Sequence, residues 1–236
     1  MTSLFPLNLT DVQVRRKGKT VLGPVTITLG ALGLTIIVGP NGSGKTTLLR
    51  AMHGVERISA GQVQWAVPSQ IARERQAYVF QSPIMLRRSV TENLYYPLGL
   101  SGMSRADAAP LIANWITQIG LNGADQTQAT RLSGGERQKL AIARALIRKP
   151  DVLFLDEPCA NLDGRGTREI ETLLLMARDA GTRIVMATHD LGQAKRLATD
   201  AMFILNGQIH ETAPAPTFFN APRTAQLAGF LSGDIV

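Results

Sequence analysis

Residues 132–158 read LSGGERQKLAIARALIRKPDVLFLDEP: a Ser-Gly-Gly turn, a basic helix and an apolar strand ending in two acids, within 27 residues. The fold is decided here. The run 152–155, Val-Leu-Phe-Leu, is short, apolar and preceded by the helix-stopping Lys149-Pro150, so it reads as a buried strand. It delivers Asp156 and Glu157 to its carboxyl end before Pro158 stops it. In an open α/β sheet that end is where ligands sit. Ser133 and the N–H groups of Gly134 and Gly135 open a helix expected over 135–148, and the start of a helix attracts anions.

A second anion-binding helix start lies upstream. Residues 39–46, GPNGSGKT, follow a predicted strand (34–38) and open a predicted helix (45–53), the context that a phosphate loop requires. Gly39, Gly42 and Gly44 let the backbone turn tightly against an anion, and Pro40, Asn41 and Ser43 complete the cradle. Lys45 supplies a point charge for the β- and γ-phosphates, Thr46 a hydroxyl for Mg²⁺, and Thr47 another for an inner phosphate. Beside such a site Asp156 is placed to hold Mg²⁺, directly or through water. Glu157 is then free to polarise an attacking water, a general-base role worth about 10²–10⁴-fold in rate. His189, in MATHD after a predicted strand at 183–187, reaches the same sheet edge, and its residue type leaves structural and catalytic roles open. Gln81, after the strand 76–80, could ligate Mg²⁺, position water or simply mark a boundary.

Composition sets the outer limits. With 236 residues, 44% hydrophobic and 18% charged, the chain is an ordinary globular protein of one domain or one and a half. A net charge of +7 suits nucleic acid, an acidic membrane surface or small anions. The charges are dispersed, however, and the densest run, Arg15-Arg16-Lys17-Gly18-Lys19, is short, so no nucleic-acid partner is expected. A single cysteine, Cys159, excludes an intrachain disulfide and fits a reducing compartment. The opening MTSLFPLNLTD lacks the basic-then-apolar order of a signal peptide. Residues 21–40 carry no charge and have the length of a membrane span, but Gly23, Pro24, Gly30, Gly33, Gly39 and Pro40 make them two strands and a turn. A cytoplasmic protein without an anchor of its own is expected.

Along the chain, further strands are predicted at 7–14, 25–29 and 62–65. From 82 to 131 the pattern is helical instead. Leu111, Ile112, Trp115, Ile116 and Ile119 recur at helical spacing after a Ser104/Asp107 capping pair, with Pro110 either starting that helix or kinking it. This segment is read as a helical insertion. Helices at 167–180 and 190–198 and a hairpin, 202–205 with 208–210 around Asn206-Gly207, complete the alternation. Strands separated by helices predict an α/β fold with a largely parallel sheet covered on both faces.

Six motifs, in order, resemble those of the nucleotide-binding subunit of ABC transporters, and the resemblance covers nearly the whole chain. They are GPNGSGKT (Walker A), Gln81 in VFQSP, the signature LSGGERQ, VLFLDEP (Walker B), ANLD with Asp163, and the switch histidine His189 in THD. The resemblance implies a P-loop NTPase of the ABC ATPase type with N-terminal antiparallel strands. It implies one domain over 1–236, with 1–81 and 132–236 as core and 82–131 as an inserted helical subdomain carrying the permease contact. It further implies ATP hydrolysis, with ATP and Mg²⁺ sandwiched between the two subunits of a homodimer. Lys45, Thr46, Gln81 and Asp156 would serve phosphate and Mg²⁺, Glu157 would be the base and His189 would meet the γ-phosphate. Ser133, Gly134 and Gly135 would act across the dimer, and Asp163 would help assemble the facing site. Integral membrane permease subunits, an extracytoplasmic solute-binding protein and a position at the cytoplasmic face of the cell membrane follow from the same likeness.

Two departures stand out. Where such subunits usually place an adenine-stacking aromatic residue, this chain has Arg15-Arg16-Lys17; either arginine could stack on a purine, or both are solvated. Cys159 stands where many relatives carry Thr or Ser, and is read as a small buried residue. The tail after His210 resembles the ends of importer subunits; an exporter or lipoprotein-release subunit is the alternative. A soluble DNA- or ribosome-associated ABC ATPase would need a coiled-coil insertion or a second cassette. The overall likeness is to subunits for small oxyanions, tungstate above all, then phosphate, molybdate or polar amino acids.

Overall fold

A computed structural model describes residues 2–234; Met1 at the start, and Ile235 and Val236 at the end of the importer-like tail, lie outside the described residues. In chain order the first elements are β1 (Leu7–Arg16), β2 (Lys19–Leu29), β3 (Leu34–Val38), α1 (Lys45–His53), β4 (Ala60–Trp65), α2 (Ser69–Glu74) and β5 (Gln76–Val79). There follow α3 (Val90–Leu100), α4 (Arg105–Gln118), α5 (Gly134–Leu146), β6 (Val152–Asp156), α6 (Gly164–Asp179), β7 (Arg183–Ala187) and α7 (Leu191–Leu197). The chain ends with β8 (Asp200–Leu205), β9 (Gln208–Pro214), α8 (Ala215–Asn220) and α9 (Ala225–Ser232).

The expected α/β fold is present. Six strands pair in the order β5-β6-β7-β3-β8-β9, all parallel except the β8/β9 hairpin, while β2-β1-β4 form a separate antiparallel sheet. Strands β3, β6 and β7 are buried along their whole length, and the period-2 alternation of side chains sorts them between two cores. Leu34, Ile36, Val38, Leu153, Leu155, Ile184 and Met186 face the side covered by α5, α6, α7, α8 and α9. Ile37, Val152, Phe154, Val185 and Ala187 face the side covered by α1 and the antiparallel sheet. Burying each such Val, Leu, Ile, Phe or Met side chain contributes about 1.5–3 kcal/mol, which holds the sandwiched sheet between its two layers.

Helices α3 and α4 make a third core with one face of α5, in which Leu94, Leu98, Ile112 and Ile116 meet Leu140, Ala143 and Ile147. The Ser104 hydroxyl caps α4 by accepting the Asp107 N–H at 3.1 Å. The helix therefore starts at Arg105, and Pro110 lies inside it. Ala106 and Pro110 are both exposed, so the carbonyl deprived of a partner by the proline is left to water.

The hairpin and the first two strands run longer than the sequence pattern indicated, since polar residues on their outer faces hide the alternation. Three short helices, α2, α8 and α9, carry too few turns for a periodic signal. Among the described residues no helix is long and apolar enough to cross a membrane.

Candidate functional site

Four neighbouring strands, β5, β6, β7 and β3, present their carboxyl ends on one edge of the sheet. Register makes the alignment close: Val79 pairs with Leu155, Asp156 with Ala187, and Ala187 with Ile37. The residues just beyond these strands are Gln81, Glu157, His189 and the loop from Gly39. Parallel pairing thus gathers residues more than a hundred positions apart.

The phosphate loop is held by its own geometry. Gly39, Gly42 and Gly44 all have positive φ, at 155°, 76° and 111°, and a Cβ on Gly39 would run into the Ile204 carbonyl. The loop is tied down where the Gly207 N–H donates to the Ser43 carbonyl at 2.8 Å. Lys45 Nζ donates to the Gly39 and Pro40 carbonyls at 2.8 and 3.0 Å, curling its ammonium into the loop. Burial pulls the Lys45 pKa below the usual lysine value, against the upward pull of Glu157 and Asp156. The buried Ser43 hydroxyl has no hydrogen-bond partner within the protein. An exposed backbone cradle, a buried cation and a spare hydroxyl are the donors that a polyphosphate requires.

Thr46 Oγ1 donates to Asp156 Oδ1 at 2.8 Å, joining the helix start to the end of β6. Burial raises the Asp156 pKa, with the Thr46 hydrogen bond opposing that shift. No group of three or more His, Cys, Asp or Glu side chains among the described residues could hold a metal alone. Thr46 and Asp156 offer two oxygens, which fits Mg²⁺ bound mainly through substrate phosphates and water.

Glu157 is the convergence point. Its φ of 47° lies in the left-handed region, and its N–H is fixed to the Ala187 carbonyl at 3.0 Å. One carboxylate oxygen, Oε2, accepts from Gln81 Nε2 at 3.3 Å and lies 3.2 Å from His189 Nδ1. All three line a cleft of about 620 Å³ together with Asn41 to Thr47. Arg16 is on its wall and is held to Glu56 by a 2.6 Å ion pair, whereas Arg15 turns back to the Gly18 carbonyl.

The Ser-Gly-Gly turn stands elsewhere. Ser133 caps α5 in a closed box: its hydroxyl accepts the Glu136 N–H at 3.3 Å, and the Glu136 carboxylate accepts the Ser133 N–H at 2.8 Å. Those two bonds hold the Glu136 pKa below the usual carboxylate value. Ser133, Gly134 and Gly135 line a second cleft with Asp163, whose carboxylate caps α6 by accepting the Gly166 N–H at 2.7 Å. Asn161 lines both clefts and has a φ of 64°. Asn161 was not among the residues expected at the site, although an asparagine two residues before a helix cap, in a turn, is a signal for left-handed backbone. Of the residues assigned from sequence, Asn41, Gly42, Ser43, Gly44, Lys45, Thr46, Thr47, Gln81, Glu157 and His189 line the first cleft, Asp156 bonds to it through Thr46, and Ser133, Gly134, Gly135 and Asp163 line the second.

The family model described as ABC transporter matches residues 22–160. The chain belongs to the ABC transporter family. It is an ATP-binding, ATP-hydrolysing subunit, and its curated relatives are subunits of the import type. The ATP-binding protein of a tungstate uptake system in Peptoclostridium acidaminophilum is 36% identical over 82% of this chain and 92% of its own length. A probable anion import ATP-binding protein of Haloferax volcanii is 33% identical over 92% of this chain and 83% of its own length. A phosphate import ATP-binding protein of Natronomonas pharaonis is 34% identical over 93% and 84%. Other relatives are iron(III) and taurine import proteins. In fold, the chain superposes on the ATP-binding subunit of an ABC transporter with a TM-score of 0.84 at 21% identity, covering 97% of this chain and all of the other. The cbiO1 protein of Clostridium perfringens gives 0.80 at 24%, covering 94% of each.

Proposed function

We propose that this ABC ATPase subunit works as a homodimer at the cytoplasmic face of the cell membrane, powering import of a small oxyanion, tungstate first, through separate permease subunits fed by an extracytoplasmic binding protein. The observation that carries the dimer is the separation of the two clefts: among the described residues of one subunit, the cleft of the phosphate loop and that of the Ser-Gly-Gly turn share only Asn161. A second copy in head-to-tail contact would bring the turn of each onto the phosphate held by the other. The tungstate, anion and phosphate import relatives support the oxyanion assignment.

In this reading the loop N–H groups and Lys45 bind the β- and γ-phosphates, and Thr47 meets an inner phosphate. Thr46 and Asp156 would hold Mg²⁺, which would supply charge neutralisation for the phosphates. Glu157 orients water and takes its proton; Gln81 and His189 fix the carboxylate and, at the γ-phosphate, report its presence. Arg16, on the cleft wall and steadied by Glu56, takes the place of an aromatic platform for the purine. Asp163 approaches the facing site from the start of α6. Residues 82–131 act as the inserted subdomain that meets the permease, with Gln81 at its junction to the core.

The test is tungstate accumulation by cells carrying the complete transporter. The parent chain supports uptake, and Glu157→Gln abolishes it together with ATP hydrolysis. Uptake of another solute with no response to tungstate would overturn the cargo assignment and leave the ATPase intact.

A further inference from the structure

Behind the two clefts, α6 and α7 are joined by a polar cluster that phosphate binding does not use. Glu171 on α6 is buried, and Gln193 on α7 is only 1% exposed. Arg196, one turn further along α7, grips the Glu171 carboxylate with both ends of its guanidinium: Nη2 donates to Oε1 at 2.6 Å and Nε to Oε2 at 3.1 Å. Gln193 Nε2 donates to the same Oε1 at 3.4 Å. Cys159 lies in the loop between Glu157 and Asp163, where burial pushes its thiol pKa up to about 11. One buried carboxamide and one guanidinium on α7 therefore meet a single carboxylate on α6.

The two helices begin at the residues that matter. Asp163 caps α6, eight positions before Glu171. Asp190 caps α7 by accepting the Gln193 N–H at 2.9 Å, and His189 immediately precedes it. An ion pair with one half-exposed partner adds little net stability, and the best-attested use of a buried charge such as Glu171 is to fix one register between elements. A bidentate guanidinium and carboxylate do this well, because the planar fork permits a single alignment.

We propose that Glu171, Gln193 and Arg196 are positioning residues that lock α7 to α6, so that His189 in one site and Asp163 in the facing site move as one unit. The proposal rests on the dimeric ATPase reading above. Occupancy of one phosphate site is then transmitted through the helix pair to the residue that completes the other.

The experiment uses the full-length chain with MgATP and compares Arg196→Ala, Glu171→Gln and Arg196→Lys. Arg196 is half-exposed, so its substitution leaves the core packed. The proposal expects kcat to fall about tenfold in the first two variants, MgATP affinity of the isolated subunit to stay within twofold, and Arg196→Lys to recover at least half of the parent rate. It also expects the ATP-driven dimer, measured in a Glu157→Gln background, to weaken about tenfold on adding Arg196→Ala. Rates within twofold of the parent in both Arg196→Ala and Glu171→Gln would overturn it. So would a joint fall of kcat, nucleotide affinity and melting temperature, which marks a merely structural cluster. A parent chain that itself fails to hydrolyse ATP would instead overturn the reading beneath the proposal, and the proposal with it.

Discussion

Two glycine turns open two helices in this chain, and they are glycine for different reasons. In the phosphate loop the cause lies inside the subunit: φ is positive at Gly39, Gly42 and Gly44, and a Cβ on Gly39 would strike the Ile204 carbonyl. In the Ser-Gly-Gly turn no such cause exists. Neither Gly134 nor Gly135 has positive φ; a Cβ on Gly134 would meet nothing within 4 Å, and one on Gly135 would make an ordinary 3.5 Å contact with Leu162. Glycine inside a helix costs about 1 kcal/mol relative to alanine. Close approach of a group from outside the subunit, as the proposed dimer supplies, is a reason for glycine at both positions. In the proposed dimer the first turn serves the nucleotide of its own chain, and the second meets the one held by the partner.

The largest expected effect breaks the second turn alone. Ser133→Arg lowers turnover by at least about 10²-fold, the scale of a lost transition-state donor, while the isolated subunit binds MgATP as the parent does. Equilibrium binding beside an ATPase assay checks this, and a parallel loss of binding would place the turn in the same subunit's site.

Next comes the glycine contrast itself. Gly39→Ala destabilises the subunit by about 3 kcal/mol through backbone strain and collision. Gly135→Ala melts at or above the parent, by up to about 1 kcal/mol, yet hydrolyses ATP at least about tenfold more slowly. Denaturant titration and initial rates on the two variants separate these outcomes.

Acid should act on the two helices in sequence. His53, at the end of the phosphate-loop helix, is held by burial at a pKa of about 4 against an ordinary 6.5. The folded protein then binds fewer protons than the unfolded chain between those values, so stability is full above pH 6.5 and falls as pH drops toward 4. The loss is on the order of 3 kcal/mol at most. Glu136, whose pKa the Ser133 bonds depress, adds its loss only below about pH 4.5. In His53→Gln the slope between pH 6.5 and 4 flattens in chemical unfolding.

The smallest effect concerns the wall of the first cleft. Arg16→Ala weakens ATP binding about two- to thirtyfold, equivalent to 0.5–2 kcal/mol of cation–π contact, and Arg15→Ala leaves it unchanged. Calorimetric titration decides between them.

Much of the site was legible in the sequence because its pieces are local. Each of the strand ends at Val38, Asp156 and Ala187 is an apolar run followed at once by chemistry-bearing residues, and parallel pairing then leaves one edge on which to gather them. The capping pair at Ser104 spans three residues and is equally readable, whereas the box that Glu136 closes on Ser133 is seen only in the structure. Other features depend on distance. Whether Arg15 or Arg16 faces the cleft turns on Glu56, forty positions away. The Glu171–Arg196 clasp joins two helices across a strand and carries no local pattern. Asn161 was missed because its place between two clefts exists only after folding. Helices α2, α8 and α9 form on docking against neighbours more than on intrinsic periodicity.

Closure of the nucleotide between two copies is tested by the mass of Glu157→Gln in solution with MgATP, by sedimentation. A stable dimer is expected with MgATP, a monomer without it, and a monomer in both conditions once Ser133→Arg is added to the same chain. A dimer of undiminished strength in that double variant, or full ATP turnover by a parent protein that stays monomeric throughout, would contradict it.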